Sequence, residues 1–262
     1  MDVIDGRLIG GVHLSRQKRA AFDASPSHAH GAWQVSSIQA LMDGRYEGDL
    51  TLAELVVHGD LGLGTVQHLD GELIVVDGRC WQVTADGSVH EPAPTTRTPF
   101  AVVCRFAPRP PVPIAGPMTL ARLTARVDEL APSDEPVVAV RIDGTFRDLS
   151  LRSVARQHPP YPPLTEVVAH QTTWSVPELR GTLVGFRFPA DLQGIEVPGY
   201  HLHVLSDDRT IGGHVVDLEL VEGVVLVDGA HDLHLEVPPG VDVTAVDRST
   251  AAADAIRQVE GA

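Results

Sequence analysis

Cysteine is scarce in this chain. The two that occur, Cys80 and Cys104, lie in apolar segments typical of strands. Two such residues do not make the disulfide framework on which many small secreted proteins depend. Both are therefore predicted to be buried thiols of the core, and the scarcity fits a reducing compartment. We expect a cytoplasmic protein.

Basic residues and long apolar runs are also few. Lys18 is the only lysine, and 20 basic against 35 acidic residues give a formal net charge of -15. This charge opposes binding to nucleic acid or to an anionic membrane, and no basic cluster counteracts it. No apolar run is long enough to span a bilayer, and the first 20 residues lack the apolar centre of a secretory signal. The sequence predicts neither a nucleic-acid partner nor a membrane partner.

Short apolar runs separated by turn residues predict an α+β fold that is mostly β. The Asp-Gly pairs at Asp70–Gly71, Asp77–Gly78 and Asp86–Gly87 separate strand-like runs, which is typical of hairpins. The Pro-rich segment Pro108–Gly116 predicts a linker or rigid loop. Residues 118–130 have apolar positions at helical spacing, and strands dominate after them.

These patterns predict three parts. Residues 1–30 form an N-terminal arm, residues 31–116 an N-terminal β-meander, and residues 117–262 a C-terminal metal-binding β part. The meander sheet and the C-terminal sheet are expected to pack together with a few short helices, with the functional site between them.

The segment Pro198–Asp217, PGYHLHVLSDDRTIGGHVVD, contains three histidines at a spacing suited to a metal site. In a strand, alternate side chains share a face, so His201 and His203 point the same way. The turn-forming residues that follow predict a hairpin whose second strand returns His214 beside them. Three neutral imidazoles leave a metal ion open to water or substrate, as in catalytic sites.

Other interpretations of these histidines stay open at this point. The chain has 13 histidines, so buried or surface histidines without a ligand are an alternative, and His28 with His30 shows the same spacing in a polar loop. A cupin-like metal enzyme, such as an oxygenase or isomerase, also uses His-X-His on a strand, although Asp207 stands where its usual glutamate would be. A non-catalytic metal-binding module would need a fourth protein ligand. Asp207 and Asp208 are predicted to serve the turn.

Several longer segments resemble one enzyme family. VVHGDLGLGTVQHLDGELIVVDGRCWQV (Val56–Val83), Thr98–Ala101, RSVARQHPPYPPLTEV (Arg152–Val167) and the histidine segment are similar to the alpha-acetolactate decarboxylases, from about Ile38 to Leu220. The resemblance implies a zinc enzyme, expected as a homodimer, that converts 2-acetolactate (2-hydroxy-2-methyl-3-oxobutanoate) to acetoin and carbon dioxide.

The chemistry of such a substrate agrees with a metal. A 3-oxo acid loses carbon dioxide only if the electron pair left behind is stabilised, by a Schiff base, an organic cofactor or a Lewis acid. Lys18 lies in a polar segment, so an amine route is poorly supported. Zinc held by His201, His203 and His214 could bind the hydroxyl and keto oxygens and stabilise an enediolate.

The resemblance also implies roles for four more residues. Glu72 would lie by the metal and accept the hydroxyl proton or orient the substrate, and Arg152 would bind the carboxylate or stabilise developing charge. Thr65 is expected to line the substrate pocket. Glu260 is a possible metal ligand or neighbour of the metal, from its position near the C-terminus alone. Without the resemblance, Glu72 and Arg152 would be interpreted as surface charges.

Overall fold

Two large β-sheets form the framework of the fold. A computed structural model describes residues 12–15, 31–131, 137–241 and 249–260. Most of the arm expected over residues 1–30, including His28 and His30, lies outside the described residues. The part that is described, Val12–Ser15, is a strand that pairs in parallel with Asp232–Glu236. Within the described residues, no helix is both long and apolar enough to cross a membrane.

The first sheet has eight strands and contains the predicted meander. In spatial order its strands are β1 (Val12–Ser15), β15 (Asp232–Glu236), β2 (Gly31–Val35), β9 (Phe100–Cys104), β4 (Leu61–Thr65), β5 (Glu72–Val76), β6 (Arg79–Val83) and β7 (Val89–His90). The pairs β1–β15 and β15–β2 are parallel, and the other pairs are antiparallel. Late in the chain, β15 therefore returns to the sheet that the earlier strands build.

The Asp-Gly pairs lie between successive strands of this sheet, as predicted. Asp77 and Gly78 join β5 to β6 with φ angles of 53° and 72°, the left-handed values that a tight two-residue hairpin requires. Gly87 lies between β6 and β7. Asp70 and Gly71 end a longer connection that links β4 to β5. A small separate sheet pairs β3 (Leu50–Thr51) with β8 (Arg97–Thr98).

The second sheet has five strands and closes on itself at one end. In spatial order they are β10 (Val112–Thr119), β14 (Gly212–Ala230), β11 (Val137–Ser153), β12 (Thr172–Phe188) and β13 (Gly199–Ser206). Because β13 also pairs with β14, the strands β11, β12, β13 and β14 form a closed ring. The short connection between β13 and β14 is the hairpin predicted between His203 and His214.

The linker predicted over Pro108–Gly116 is wrong in its second half. Val112–Thr119 is strand β10, which pairs with β14 along an edge of the second sheet. Proline lacks a backbone donor, so Pro113 and Pro117 are tolerated there because an edge strand leaves donors unpaired on its outer side. A register shift between Ala115 and Met118 accommodates the irregular part.

Five short α-helices complete the fold within the described residues. They are α1 (Ile38–Met42), α2 (Leu52–His58), α3 (Leu120–Leu130), α4 (Leu164–Val168) and α5 (Thr250–Glu260). At the start of α2, the Thr51 hydroxyl accepts from the Glu54 N–H while the Glu54 carboxylate accepts from the Thr51 N–H. These bonds satisfy two backbone groups that a helix start otherwise leaves without a partner.

Three apolar clusters position the site. Leu63 and Ile74 of the first sheet pack with Val184 and Phe186 of the second, which joins the two sheets face to face. The closed ring of the second sheet encloses another cluster, capped by α3. A third cluster lies under α1, α4 and α5. The long strands of the second sheet contribute one face to the cluster between the sheets and the other face to the cluster inside the ring. Because both faces are buried, these strands are hydrophobic on both sides.

Candidate metal centre and active site

Strand pairing brings His201, His203 and His214 together. His201 and His203 lie two residues apart on β13, and His203 is the direct partner of His214 on β14. The side chains are 5%, 0% and 2% exposed, respectively. One nitrogen from each ring lies within 4.8 Å of the other two, a grouping that could hold a metal ion. The hairpin thus returns His214 beside His201 and His203, as the sequence pattern predicted.

The residues between the two strands fix this hairpin. The Ser206 hydroxyl donates to Asp208 Oδ1 at 2.7 Å, and the Thr210 N–H donates to the same carboxylate at 3.1 Å. These hydrogen bonds, to the Ser206 and Thr210 side chains and to the Thr210 backbone, hold the pKa of Asp208 below its usual value. Asp208 therefore serves the turn, as predicted. Neither Asp207 nor Asp208 belongs to the histidine group.

Gly213 is required directly beside His214. Its φ of 149° lies in a region that residues with a side chain rarely adopt. A Cβ there would also lie 3.0 Å from the Trp174 ring and 3.2 Å from the Arg152 carbonyl oxygen. Glycine therefore permits Trp174 to pack closely over the strand that carries a metal-ligand candidate.

Burial keeps the imidazoles of His201 and His203 neutral. It lowers the pKa of His201 to about 3, with a smaller contribution from the positive charge of Arg152. Burial also lowers the pKa of His203 well below its usual value; His201 and Arg152 act in the same direction, and a hydrogen bond to Leu73 opposes them. Neutral imidazoles have a lone pair for a metal, so no proton has to leave before a metal binds.

The hydrogen bond of His203 also determines which nitrogen faces the site. Nδ1 is 3.0 Å from the carbonyl oxygen of Leu73, which can only accept, so Nδ1 bears the proton. Within the described part of the chain, Nε2 of His203 has no hydrogen bond. A bond from one imidazole nitrogen to a carbonyl, with the other nitrogen left as a ligand, is the usual arrangement of metal-binding histidine.

Glu72 lies against this nitrogen. It is the first residue of β5, it is 7% exposed, and its Oε2 is 3.4 Å from Nε2 of His203. The neutral ring directs the lone pair of Nε2 toward a carboxylate oxygen, and two such groups repel each other. A cation between or beside the two atoms would make the contact favourable. The residues therefore fit a bound divalent metal.

Arg152 approaches the histidines from β11. It is buried, and Nη2 is 2.9 Å from Nε2 of His214. Nη1 donates to Oε1 of Gln171 at 3.3 Å. The sequence did not indicate Gln171, because an isolated glutamine has no spacing that marks a site. Arg152 thus places a positive charge beside His214, and this charge contributes to the lowered pKa of His201 and of His203.

A cavity that opens to solvent lies over these groups. Its polar wall includes Thr65, Glu72, Arg152 and His201. The Thr65 hydroxyl donates to the Gly71 carbonyl at 2.7 Å and so also ties the two ends of the β4–β5 connection together. The remaining wall is apolar; its members are Leu41, Leu69, Phe100, Val154, Leu164, Val168 and Val259. Sequence reasoning missed these, since they are indistinguishable from core residues without the tertiary contacts.

One predicted site residue, Glu260, and two further histidines, His58 and His68, complete the description. Glu260 is the last residue of α5, and its side chain lies outside the described part of the structure. His58 is buried and stacks on Trp33 with 4.2 Å between ring centroids, so it belongs to the packing of α2 on the first sheet. His68 lies in the connection before Glu72, and its ring contacts Tyr161.

These features define a class of protein: a two-sheet α+β fold with a buried group of three histidines, in which His201, a carboxylate and a guanidinium line a cavity. A search for relatives then identifies the family. A family model described as alpha-acetolactate decarboxylase matches residues 32–246. An alpha-acetolactate decarboxylase of Methylococcus capsulatus is 42% identical over 235 residues, 90% of each chain. One of Bacillus subtilis is 37% identical over 210 residues, 80% of this chain and 82% of that one.

Solved structures agree with this result. The crystal structure of alpha-acetolactate decarboxylase from Bacillus subtilis strain 168 superposes with a TM-score of 0.83 at 35% identity, covering 88% of this chain and 100% of the other. The chain belongs to the alpha-acetolactate decarboxylase family. The resemblance, the mostly β fold and the class of enzyme, a carboxy-lyase, are all confirmed.

Proposed function

We propose that this protein decarboxylates 2-acetolactate to acetoin and carbon dioxide with a zinc ion held by His201, His203 and His214. The observation that carries the proposal is the group of three buried imidazoles, one of which, His201, lines a cavity together with Glu72 and Arg152. Membership of the family supplies the substrate, and the donor set supports the metal.

Zinc is the metal that this donor set favours. Three imidazole nitrogens with one open position are typical of catalytic zinc sites, whereas magnesium and calcium prefer oxygen ligands. When bound, the ion supplies Lewis acidity that stabilises the electron pair left on the substrate, as an enediolate, once carbon dioxide departs. In a non-catalytic module a fourth protein ligand would close the site, and the adjacent cavity argues against that alternative.

Glu72 is proposed to move protons. Acetolactate has a hydroxyl group whose proton must be held or removed while carbon dioxide leaves. The enediolate that remains must then receive a proton on carbon. The location of Glu72 supports this role. Its carboxylate lies beside Nε2 of His203 and in the cavity wall, within reach of a molecule that contacts the metal. A positioned carboxylate typically contributes about 100-fold to 10,000-fold in such steps.

Arg152 is proposed to bind the substrate carboxylate. A guanidinium offers a planar fork of donors that matches a carboxylate, and burial in the cavity wall strengthens the contact. Thr65 is proposed to line the pocket beside Glu72. The apolar wall opposite is suited to the methyl groups of acetolactate and excludes water from the reacting carbons. For Glu260, a place at or near the metal is proposed from its position near the C-terminus alone.

The test combines substrate and metal in one assay. Purified protein is incubated with racemic 2-acetolactate, acetoin is followed with time, and metal content is measured before and after chelation. We expect acetoin to form, to stop on chelation and to return with added zinc. Oxygen consumption with bound iron would favour a cupin-like enzyme, and tightly bound metal without turnover would favour a binding module.

A homodimer and a cytoplasmic location are carried into the proposal from the sequence. The dimer is tested by sedimentation of the purified protein, with a mass of twice 28.0 kDa as the expected result. Fractionation of cells that produce the protein tests the location.

A further inference from the structure

The connection between β4 and β5 has an unusual backbone directly before Glu72. His68 and Leu69 have φ angles of 66° and 54°, and Gly71 has 83°. Residues with a Cβ rarely adopt such values, and two in succession are sterically unfavourable. Leu69 forms part of the cavity wall, and the connection links two other wall residues, Thr65 and Glu72. Strained backbone that persists at a site has to be held by its surroundings.

The surroundings of His68 hold it from both sides. Its N–H donates to the Tyr46 carbonyl at 2.7 Å, and its carbonyl accepts from the Gln157 N–H at 2.8 Å. Its ring Nδ1 is 2.6 Å from the hydroxyl of Tyr161. That hydroxyl in turn donates to the Glu47 carboxylate at 3.0 Å.

The directions of these bonds follow from the proton count. Tyr161 has one hydroxyl proton, which it donates to Glu47, so its oxygen must accept from His68. The imidazole is therefore protonated on Nδ1, and the chain runs from the His68 ring to Tyr161 and then to Glu47. The ring of Tyr161 is held separately by edge-to-face packing on Tyr46, with 5.3 Å between centroids.

We propose that His68 is a positioning residue for the decarboxylation: the chain His68–Tyr161–Glu47 holds the β4–β5 connection in its left-handed conformation and so places Glu72 against the metal-binding histidines. This inference rests on the proposed role of Glu72. Glycine would adopt the backbone of residue 68 at lower cost but would lack the ring. The side chain of His68, through its bond to Tyr161, therefore compensates for the strained backbone.

Three substitutions at position 68 separate backbone from side chain. His68→Gly removes the ring and still adopts the left-handed backbone conformation at low cost. His68→Ala also removes the ring but leaves the backbone strained. His68→Asn tolerates the left-handed region, and its amide Nδ2–H can replace Nδ1–H as the donor to Tyr161. Tyr161→Phe breaks the same chain from the other end while the ring packing on Tyr46 remains.

We expect His68→Gly and Tyr161→Phe each to lower kcat by about tenfold or more, with KM and metal content close to wild type, because a small misplacement of a reacting group affects the transition state most. His68→Asn should recover most of the lost kcat. The double variant of His68→Gly with Tyr161→Phe should be no slower than the slower single variant, since both remove one chain. His90→Ala, an exposed histidine on the edge strand β7, is the matched control.

A merely structural role would give a different pattern. Full kcat in both His68→Gly and Tyr161→Phe would overturn the inference, as would losses of kcat that only parallel losses of metal or of melting temperature. Failure of the proposed function is distinguishable: wild-type protein with zinc would then form no acetoin. If wild type is active and His68→Asn is no better than His68→Ala, the inference alone is wrong.

Discussion

Arg152 and His214 are direct partners across strands β11 and β14, and Nη2 of the guanidinium lies 2.9 Å from Nε2 of the imidazole. A guanidinium has no lone pair to accept with, so it donates, and the imidazole nitrogen accepts. A metal ion that uses this nitrogen competes with Arg152 for one lone pair. We therefore expect metal binding to release the guanidinium toward the cavity that Arg152 already lines.

The first prediction concerns the three histidines. Replacing His201, His203 or His214 by Ala removes one of the three proposed nitrogen ligands, so each variant should lose activity and bind much less zinc. Activity and metal content by mass spectrometry check this, with His90→Ala as the matched control. A His203→Ala protein that retains the zinc of wild type would show that the metal binds elsewhere.

The second prediction concerns Glu72. Glu72→Gln keeps the shape of the side chain but removes its basicity, so turnover should fall by about 100-fold or more. Metal content should stay close to wild type if Glu72 handles protons. A variant that loses its metal would instead identify Glu72 as a ligand, and one with normal turnover would remove it from the mechanism.

The third prediction concerns Arg152. Arg152→Lys keeps a positive charge but cannot form the planar pair of hydrogen bonds with a carboxylate, so most activity should be lost while the protein stays folded. Steady-state kinetics divide two versions of the role. A raised KM at unchanged kcat indicates uniform binding of substrate, whereas a fall in kcat and in kcat/KM together indicates a contact formed in the transition state.

If Arg152→Lys matches wild type in both constants, the substrate carboxylate is bound by another group. Arg156 is then the next candidate, because it lies four residues along the chain and pairs with Asp70 at 3.2 Å, beside the connection that precedes Glu72. Arg141 is a weaker one, since it is already held by Asp77 and Asp143.

The fourth prediction concerns acid stability without metal. Burial lowers the pKa of His201 from 6.5 to about 3, so between these pH values the unfolded chain binds a proton that the folded protein does not. The stability of metal-free protein should therefore fall as the pH drops below about 6.5, by about 1.4 kcal/mol per pH unit for each such proton, and be independent of this group above that pH.

Urea unfolding of chelated protein at several pH values measures this slope. His201→Leu removes the titrating group and should reduce the slope by about one proton. Equal slopes for wild type and His201→Leu would mean that His201 is accessible to protons in the folded state. Added zinc should oppose the loss, since metal binds the folded protein preferentially.

Local patterns in the sequence determined several parts of the structure. The alternation of side chains along a strand placed His201 and His203 on one face, and the turn residues Asp208 and Gly213 indicated the hairpin that brings His214 back. The Asp-Gly pair at Asp77 indicated a tight reversal for a similar reason. Such features depend on neighbours in the chain, so their physical causes are already present in the sequence.

Other features depend on contacts between distant residues, and only the tertiary structure decided them. The prolines of β10 do not indicate whether this segment joins a sheet, because that depends on the edge that β14 offers. Strand β15 pairs with β2 across some 200 residues of chain, and no local pattern encodes that partner.

Some features of the site were likewise determined by the sequence, and others only by the tertiary structure. The sequence alone determined a hairpin with three histidines able to reach one ion, and the resemblance added Glu72 and Arg152. The tertiary structure decided that all three rings are buried, that Leu73 fixes the tautomer of His203, and that Arg152 contacts His214. It also decided that α1, α4 and α5 contribute to the apolar wall of the cavity. The physical reason is that burial, and with it the pKa of a histidine, is a property of everything packed around a residue and not of its neighbours in sequence.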